Sequence, residues 1–417
     1  MSQMSATPDT APLDRQDKRA IRRMGIAGSV ENFLSRVRSG DIGSLPIIVG
    51  LILIWGIIQG LNSSFLSSRN LVNLATQCAA DGVIAVGVVL ILLVAQIDLS
   101  VGSMSGAASA VLGIGLTSAG WSLPLAMVIA LAMGAAVGFI YAFIFVQFNV
   151  PSFVVTLAGL LALLGLQLEI LGNHGSINLP FNSAIVAFMQ RTFVPSVLSY
   201  VLALLAVASF VGSRLARGRR RRAANLPSGS LVNLLTKAAL LLVGLEFGCW
   251  YLNKTRGVSM PFLLLVVLVM VVDFFLKRTK WGRAVYAVGG SVEAARRAGI
   301  KLWRVYVSVF VLCSMLAALG GLMSAGRLSA ASISSGTGDT NLKAIAAAVI
   351  GGTSLFGGRG NAYSALLGIV VIESIANGLT LLSLTSAVRF MITGGVLMIA
   401  VIVDSMARRS RAAHGAA

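Results

Sequence analysis

Apolar runs long enough to cross a bilayer recur along this chain from Leu45 to Val403. A hydrocarbon core of about 30 Å takes roughly 20 mostly apolar residues per helical crossing. Inside it every backbone polar group needs an internal partner, so only helices and closed barrels can span. These runs are continuous instead of alternating, which excludes a transmembrane β-barrel. With 57% apolar and only 11% charged residues among 417, the chain reads as a polytopic membrane protein and not as a soluble globule.

The expected fold class is all-α, a polytopic transmembrane helical bundle of about 10–12 membrane helices with both termini cytoplasmic. The runs cover residues 45–61, 74–95, 101–116, 123–146, 153–171, 194–211, 231–252, 258–276, 305–323, 342–355, 362–382 and 387–403. The 342–355 run is short and reads as a broken or re-entrant helix. The organisation that follows is a basic leader over 1–44, a membrane domain over 45–405 and a tail over 406–417. Two loops, 214–228 and 277–304, fall on the cytoplasmic side. The leader precedes the first apolar run, so no cleaved signal peptide is expected; its Ile21, Met24, Phe33, Leu34 and Val37 recur at helical spacing among arginines and suit a membrane surface.

Charge supplies the orientation. On this topology the inside segments hold seven basic residues in the leader, six over 214–222, eight over 277–304, Arg359, and three over 408–411, making 25. The outside loops hold six: Arg69, Arg191, Lys254, Arg256, Arg327 and Arg389. That asymmetry is what the positive-inside rule demands. It also accounts for the net charge of +19 without nucleic acid: RLARGRRRR, directly after an apolar run, reads as an orientation anchor in contact with lipid headgroups.

Catalytic and metal chemistry find little to stand on. Cysteines 78, 249 and 313 lie in separate apolar runs and form no disulfide framework or metal site. His174 and His414 are isolated. No phosphate-binding loop Gly-x-x-x-x-Gly-Lys-Ser/Thr is present, nor a soluble stretch of the roughly 100–200 residues an ATPase needs. No catalytic residue, metal or cofactor is expected in this chain, and no enzyme activity. The glycines of GAAVG (Gly134, Gly138) and of GGTSLFGGRG read as sites of close helix approach.

One polar stretch stands out, GGSVEAARRAGI at residues 289–300. Ser291 is a good N-cap, Glu293 puts negative charge in the first turn, and Gly299 suits a left-handed C-terminal position. Between the caps, Ala294, Ala295 and Ala298 form a low face beside Arg296 and Arg297. A short helix of this kind, cytoplasmic on the topology above, suits a groove on another protein.

Here the chain resembles the permeases of ATP-binding-cassette importers for monosaccharides, of the ribose, galactose and xylose type. The resemblance rests on GGSVEAARRAGI, on FLSSRNLVNL at 65–74, QIDLSVGSM at 96–104, VPSFVVTLAG at 150–159 and AIAAAVIGGTSLFGGRG at 344–360. VPSFVVTLAG with a long following loop, an inserted basic segment with an extra membrane pair, and RLSAASISSG resemble the xylose-type subgroup. Glu169 and Glu246 depart from that pattern.

The resemblance implies a passive gated pore for a monosaccharide, D-xylose or a related pentose, in a bacterial cytoplasmic membrane. It implies as partners a second copy of the permease, a cytoplasmic ATP-binding-cassette ATPase that uses ATP and Mg, and an extracytoplasmic sugar-binding protein. Coupling to the ATPase would fall on Gly290, Ser291, Glu293, Ala294, Ala295, Arg297, Ala298 and Gly299. Asp98, Glu373 and Asn377 are candidates for the translocation path; Glu373 and Asn377, four residues apart, either line it or link helices. Arg69 and Arg327 are candidates for docking the binding protein. The rival reading, an ion-coupled secondary transporter, would use intramembrane carboxylates among Asp81, Asp98, Glu169, Glu246, Asp273 and Glu373.

Overall fold

The computed structural model describes residues 45–224 and 231–395, with 398 and 402. The expected leader (1–44), part of the basic loop (225–228) and the tail (406–417) lie outside the described residues. The described chain forms two compact units, one spanning residues 197–249 and the other the remainder.

In the larger unit the elements run α1 (Leu45–Leu61), α2 (Ser68–Leu93), α3 (Val101–Thr117), α4 (Leu123–Phe148), α5 (Ser152–Leu171), β1 (Ser176–Asn178) and α6 (Ala184–Arg191). α7 (Ser196–Ala223) and α8 (Leu231–Asn253) make up most of the smaller unit. The larger unit resumes with α9 (Met260–Arg278), α10 (Lys280–Gly290), α11 (Val292–Arg297), α12 (Leu302–Leu328), β2 (Ala330–Ser332), α13 (Thr340–Ile350) and α14 (Tyr363–Leu381), and residues 386–395 are again helical.

All twelve apolar runs contain helix where described, the 342–355 run only as far as Ile350. Eight helices are long and apolar enough to cross a membrane, and α1, α3 and α13 are shorter apolar helices. The chain is thus a polytopic helical bundle, as the runs required.

α2 is the central helix: 83% of its most apolar window is buried, because its Ala, Val, Ile and Leu side chains face neighbours on every side. α12 packs against α2, α3 and α4. Gly134 and Gly138 make the α4 contact possible, since a Cβ at Gly134 would stand 2.9 Å from the Ser314 carbonyl, and one at Gly138 2.7 Å from Val311 Cα. Four-residue spacing puts both glycines on one face, which lets two backbones approach.

Two connections between helices are irregular and partly buried. α2 stops at Leu93, the chain turns through Ala95 in the left-handed region (φ 58°), and α3 starts only at Val101. The amides of the break find partners on α5: Ile97 N–H donates to Ser152 Oγ at 3.3 Å, and Leu99 N–H to Thr156 Oγ1 at 3.1 Å. The second break follows α12. Residues 329–339 run non-helically back into the bundle, where Gly102 N–H donates to Asn341 Oδ1 and Gln167 Nε2 donates to the carbonyls of Ser332 and Ser335 at 2.8 and 3.0 Å. Buried irregular backbone of this kind is tolerated where protein supplies its partners. The 342–355 run is accordingly helical only to Ile350.

β1 and β2 pair antiparallel, Ser176 with Ser332, Ile177 with Ala331 and Asn178 with Ala330. Ile177 and Ala331 are buried with Ala110 and Leu171.

In the smaller unit only 17% of the apolar window of α7 and 6% of that of α8 is buried. Helices apolar around their whole circumference and so little covered belong in lipid. The basic residues expected after the first of these runs are the exposed end of α7, from Arg214 to Arg222.

Candidate functional site

The polar stretch of residues 289–300 folds as its residues dictate. Thr279 caps α10 by accepting from Gly282 N–H at 3.1 Å. Ser291 ends α10 and begins α11, its Oγ accepting from Ala294 N–H at 3.2 Å. At the other end Gly299 is left-handed (φ 79°). Its N–H donates to the Arg296 carbonyl at 3.0 Å, and Ile300 N–H donates to the Ala295 carbonyl at 3.1 Å. This pair of bonds is a Schellman motif, which only a residue tolerant of positive φ completes without strain. Glu293 lies 3.2 Å from Arg297 and 3.7 Å from Arg296, exposed pairs worth at most about 1 kcal/mol each.

Gly290, Ser291, Glu293, Ala294, Arg296, Arg297, Ala298 and Gly299 are all exposed. Ala295 differs from its expected place on the low outer face: at 2% exposure it belongs to the main core. In a helix of six residues one side must pack on the protein that carries it, and the pattern of three alanines does not say which alanine turns inward. The segment is seated firmly. A Cβ at Gly289 would collide with the Leu93 carbonyl and stand 2.6 Å from Gly358 N, and Tyr286 Oη donates to the Gly360 carbonyl at 2.8 Å. Burial, chiefly, and then the charge of Asp273 push the Tyr286 phenol up from its usual range.

Asp98 is 2% exposed in the break between α2 and α3. Its Oδ1 accepts from Ser100 N–H and Oγ–H at 2.8 and 2.7 Å, and its Oδ2 accepts from the Cys313 thiol at 3.9 Å. It therefore fixes the turn at Ser100 just before α3 and ties the break to α12.

Glu373 and Asn377 lie one turn apart on α14, both buried. Asn377 Oδ1 accepts from Asn70 Nδ2 at 2.8 Å, and its Nδ2 donates to Gln77 Oε1 at 3.2 Å. Lys343 Nζ stands 3.6 Å from Glu373 Oε1 and 3.1 Å from Asp339 Oδ2. Trp55 Nε1 donates to Ser374 Oγ at 2.8 Å. These contacts link α1, α2, α13 and α14. Asp98 belongs to a different part of the core, so the three candidate path residues form two groups. The second group includes residues that sequence reasoning passed over, Lys343 above all; its spacing of four from Asp339 was the available signal.

Arg69 is exposed, whereas Arg327 is half-buried, with its backbone carbonyl accepting from Gln190 Nε2 at 2.8 Å. Of the other acids, Asp273 pairs with Lys277 at 2.7 Å, Asp81 and Glu246 are half-buried and Glu169 is exposed. No group of three or more His, Cys, Asp or Glu side chains suited to a metal occurs among the described residues.

Comparison with known proteins completes the picture. Residues 70–402 match the family described as "Branched-chain amino acid transport system / permease component". The xylose transport system permease protein XylH of Escherichia coli K12 is 36% identical over 348 residues, covering 84% of this chain and 88% of the relative. That of Haemophilus influenzae is 33% identical, covering 82% and 91%. The ribose import permease protein RbsC of Escherichia coli K12 is 29% identical, covering 86% and 92%. No solved structure matches the chain.

Proposed function

The chain belongs to the family of branched-chain amino acid transport system permease components, and from that membership we propose that it is the membrane-spanning permease subunit of an ATP-driven monosaccharide importer in a bacterial cytoplasmic membrane. Its cargo is D-xylose or a related pentose, the sugar named by relatives that share about a third of its residues over most of both chains. Energy comes from a separate cytoplasmic ATPase that uses ATP and Mg, and sugar arrives on an extracytoplasmic binding protein. Two copies of the permease enclose the path.

The observation that carries this reading is α11, a capped helix that exposes Glu293, Arg296, Arg297 and Ala298 at one end of the bundle and is seated on the core through Ala295 and Gly289. A short, firmly seated helix with a charged outer face is suited to receive force from a partner. An ion-coupled carrier has no use for such an element. Three of its six candidate carboxylates, moreover, are engaged, Asp98 by Ser100 and Glu373 and Asp273 in ion pairs.

The test is uptake of labelled D-xylose into vesicles holding the permease with and without ATPase, binding protein and ion gradient. Uptake that needs ATPase and ATP and persists with proton and sodium ionophores is expected. Ionophore-sensitive uptake without ATP would overturn the reading.

A further inference from the structure

The glycine-rich GGTSLFGGRG, residues 351–360, is the turn between α13 and α14, and it lies against the coupling segment. Gly358 N–H donates to the Leu93 carbonyl at 2.9 Å, where α2 ends. The Gly360 carbonyl accepts from Tyr286 of α10. Gly289 leaves room for the backbone at Gly358. Inside the turn, Ser354 N–H donates to the Arg359 carbonyl at 2.9 Å, and Phe356 N–H donates to Ser354 Oγ at 3.2 Å. A turn pinned at so many points holds its tip in place, and the tip carries Phe356, 69% exposed, with Arg359 exposed beside it.

α11 is only six residues long, and its exposed side mixes Ala294 with the charged Glu293, Arg296 and Arg297. A stable interface covers about 800 Å² on each partner, more than such a helix offers. The surface next to it must then contribute, and aromatic and arginine side chains are the types that anchor interfaces.

We propose that the 351–360 turn is a second docking element for the ATPase, placing Phe356 in an apolar pocket beside the groove that receives α11, with Arg359, Arg296 and Arg297 facing acidic groups around it. This rests on the reading of the chain as a permease driven by a separate ATPase. Because the turn also joins α13 to α14, a partner that grips both α11 and Phe356 holds two separate stretches of the core.

The experiment uses full-length permease carrying Cys249→Ser, the other cysteines, Cys78 and Cys313, being buried. Phe356→Cys and, in a parallel variant, Ala298→Cys are treated with a bulky charged maleimide in membrane fragments open on both faces, with and without the purified cognate ATPase. Both positions are expected to label freely without ATPase and several-fold more slowly with it. Phe356→Glu is expected to cut co-purification of the ATPase about tenfold, the size of loss an interface anchor gives. Protection at Ala298 but not at Phe356 overturns the proposal and leaves the ATPase reading standing. Labelling of Phe356→Cys only after detergent extraction also overturns it, placing the ring in lipid. If neither position is protected and wild-type permease retains no ATPase, the underlying reading fails as well.

Discussion

Lys343 on α13 holds its ammonium 3.6 Å from the Glu373 carboxylate on α14, and this partly buried pair joins a half-length helix to a full crossing. Removing Lys343 strands the buried Glu373 charge, at a cost of up to about 3–5 kcal/mol, while removing both does less harm. Lys343→Met is therefore expected to lower the thermal midpoint in detergent sharply, and Lys343→Met with Glu373→Gln to recover most of it. A double variant no more stable than the single would show that the pair does not hold the helices. Glu373→Gln that keeps its stability but slows sugar uptake would instead assign the carboxylate to the path.

Gly289 and Gly290 are neighbours with opposite surroundings. A Cβ at Gly289 meets the Leu93 carbonyl, whereas one at Gly290 meets nothing within 4 Å. Gly289→Ala should cost about 1–3 kcal/mol through forced backbone shifts, and Gly290→Ala close to nothing. Thermal unfolding of the two variants side by side checks this, and equal midpoints would refute the close approach.

In α11 the two alanines part company in the same way. Ala298→Trp, on the exposed side, is expected to leave insertion and melting unchanged while abolishing sugar uptake, since bulk there blocks docking. Ala295→Glu buries an unpaired carboxylate and should be poorly folded, visible as aggregation on size-exclusion chromatography. A well-folded Ala295→Glu variant would contradict the inward placement.

On the opposite end, Arg69 is exposed and Arg327 half-buried. Arg69→Glu is expected to slow binding-protein-dependent uptake most at low ionic strength, because salt screens exposed charges and complementary charge chiefly sets encounter rate. Arg327→Glu should act equally at all salt concentrations. Salt titration of initial rates distinguishes them, and identical salt profiles would remove Arg69 as a docking group.

What the residues announced was whatever a local rule decides. The long apolar runs are helical because length and hydropathy leave no other satisfied backbone in lipid. α11 was legible because Ser291 and Gly299 are its caps. What escaped depended on distant partners. Which alanine of α11 turns inward is set by the core beneath it, and the role of Lys343 by Glu373, a helix away. The non-helical return at 329–339 is held by Gln167 and by contacts with Gly102, and no local pattern marks it. The outward and inward assignment still rests on the charge asymmetry of 25 to 6.

The pairing of β1 with β2 joins two loops at the end of the bundle remote from α11. β1 leaves the ribosome long before β2, and α6 to α12 intervene. During synthesis the three residues of β1 therefore wait, their hydrogen-bonding edge open, until α12 has been inserted and carries β2 across. Closing so long a loop comes late in assembly. This end of the protein is accordingly sealed near the close of biogenesis, and a chain interrupted before Ala330 lacks the strand that completes it.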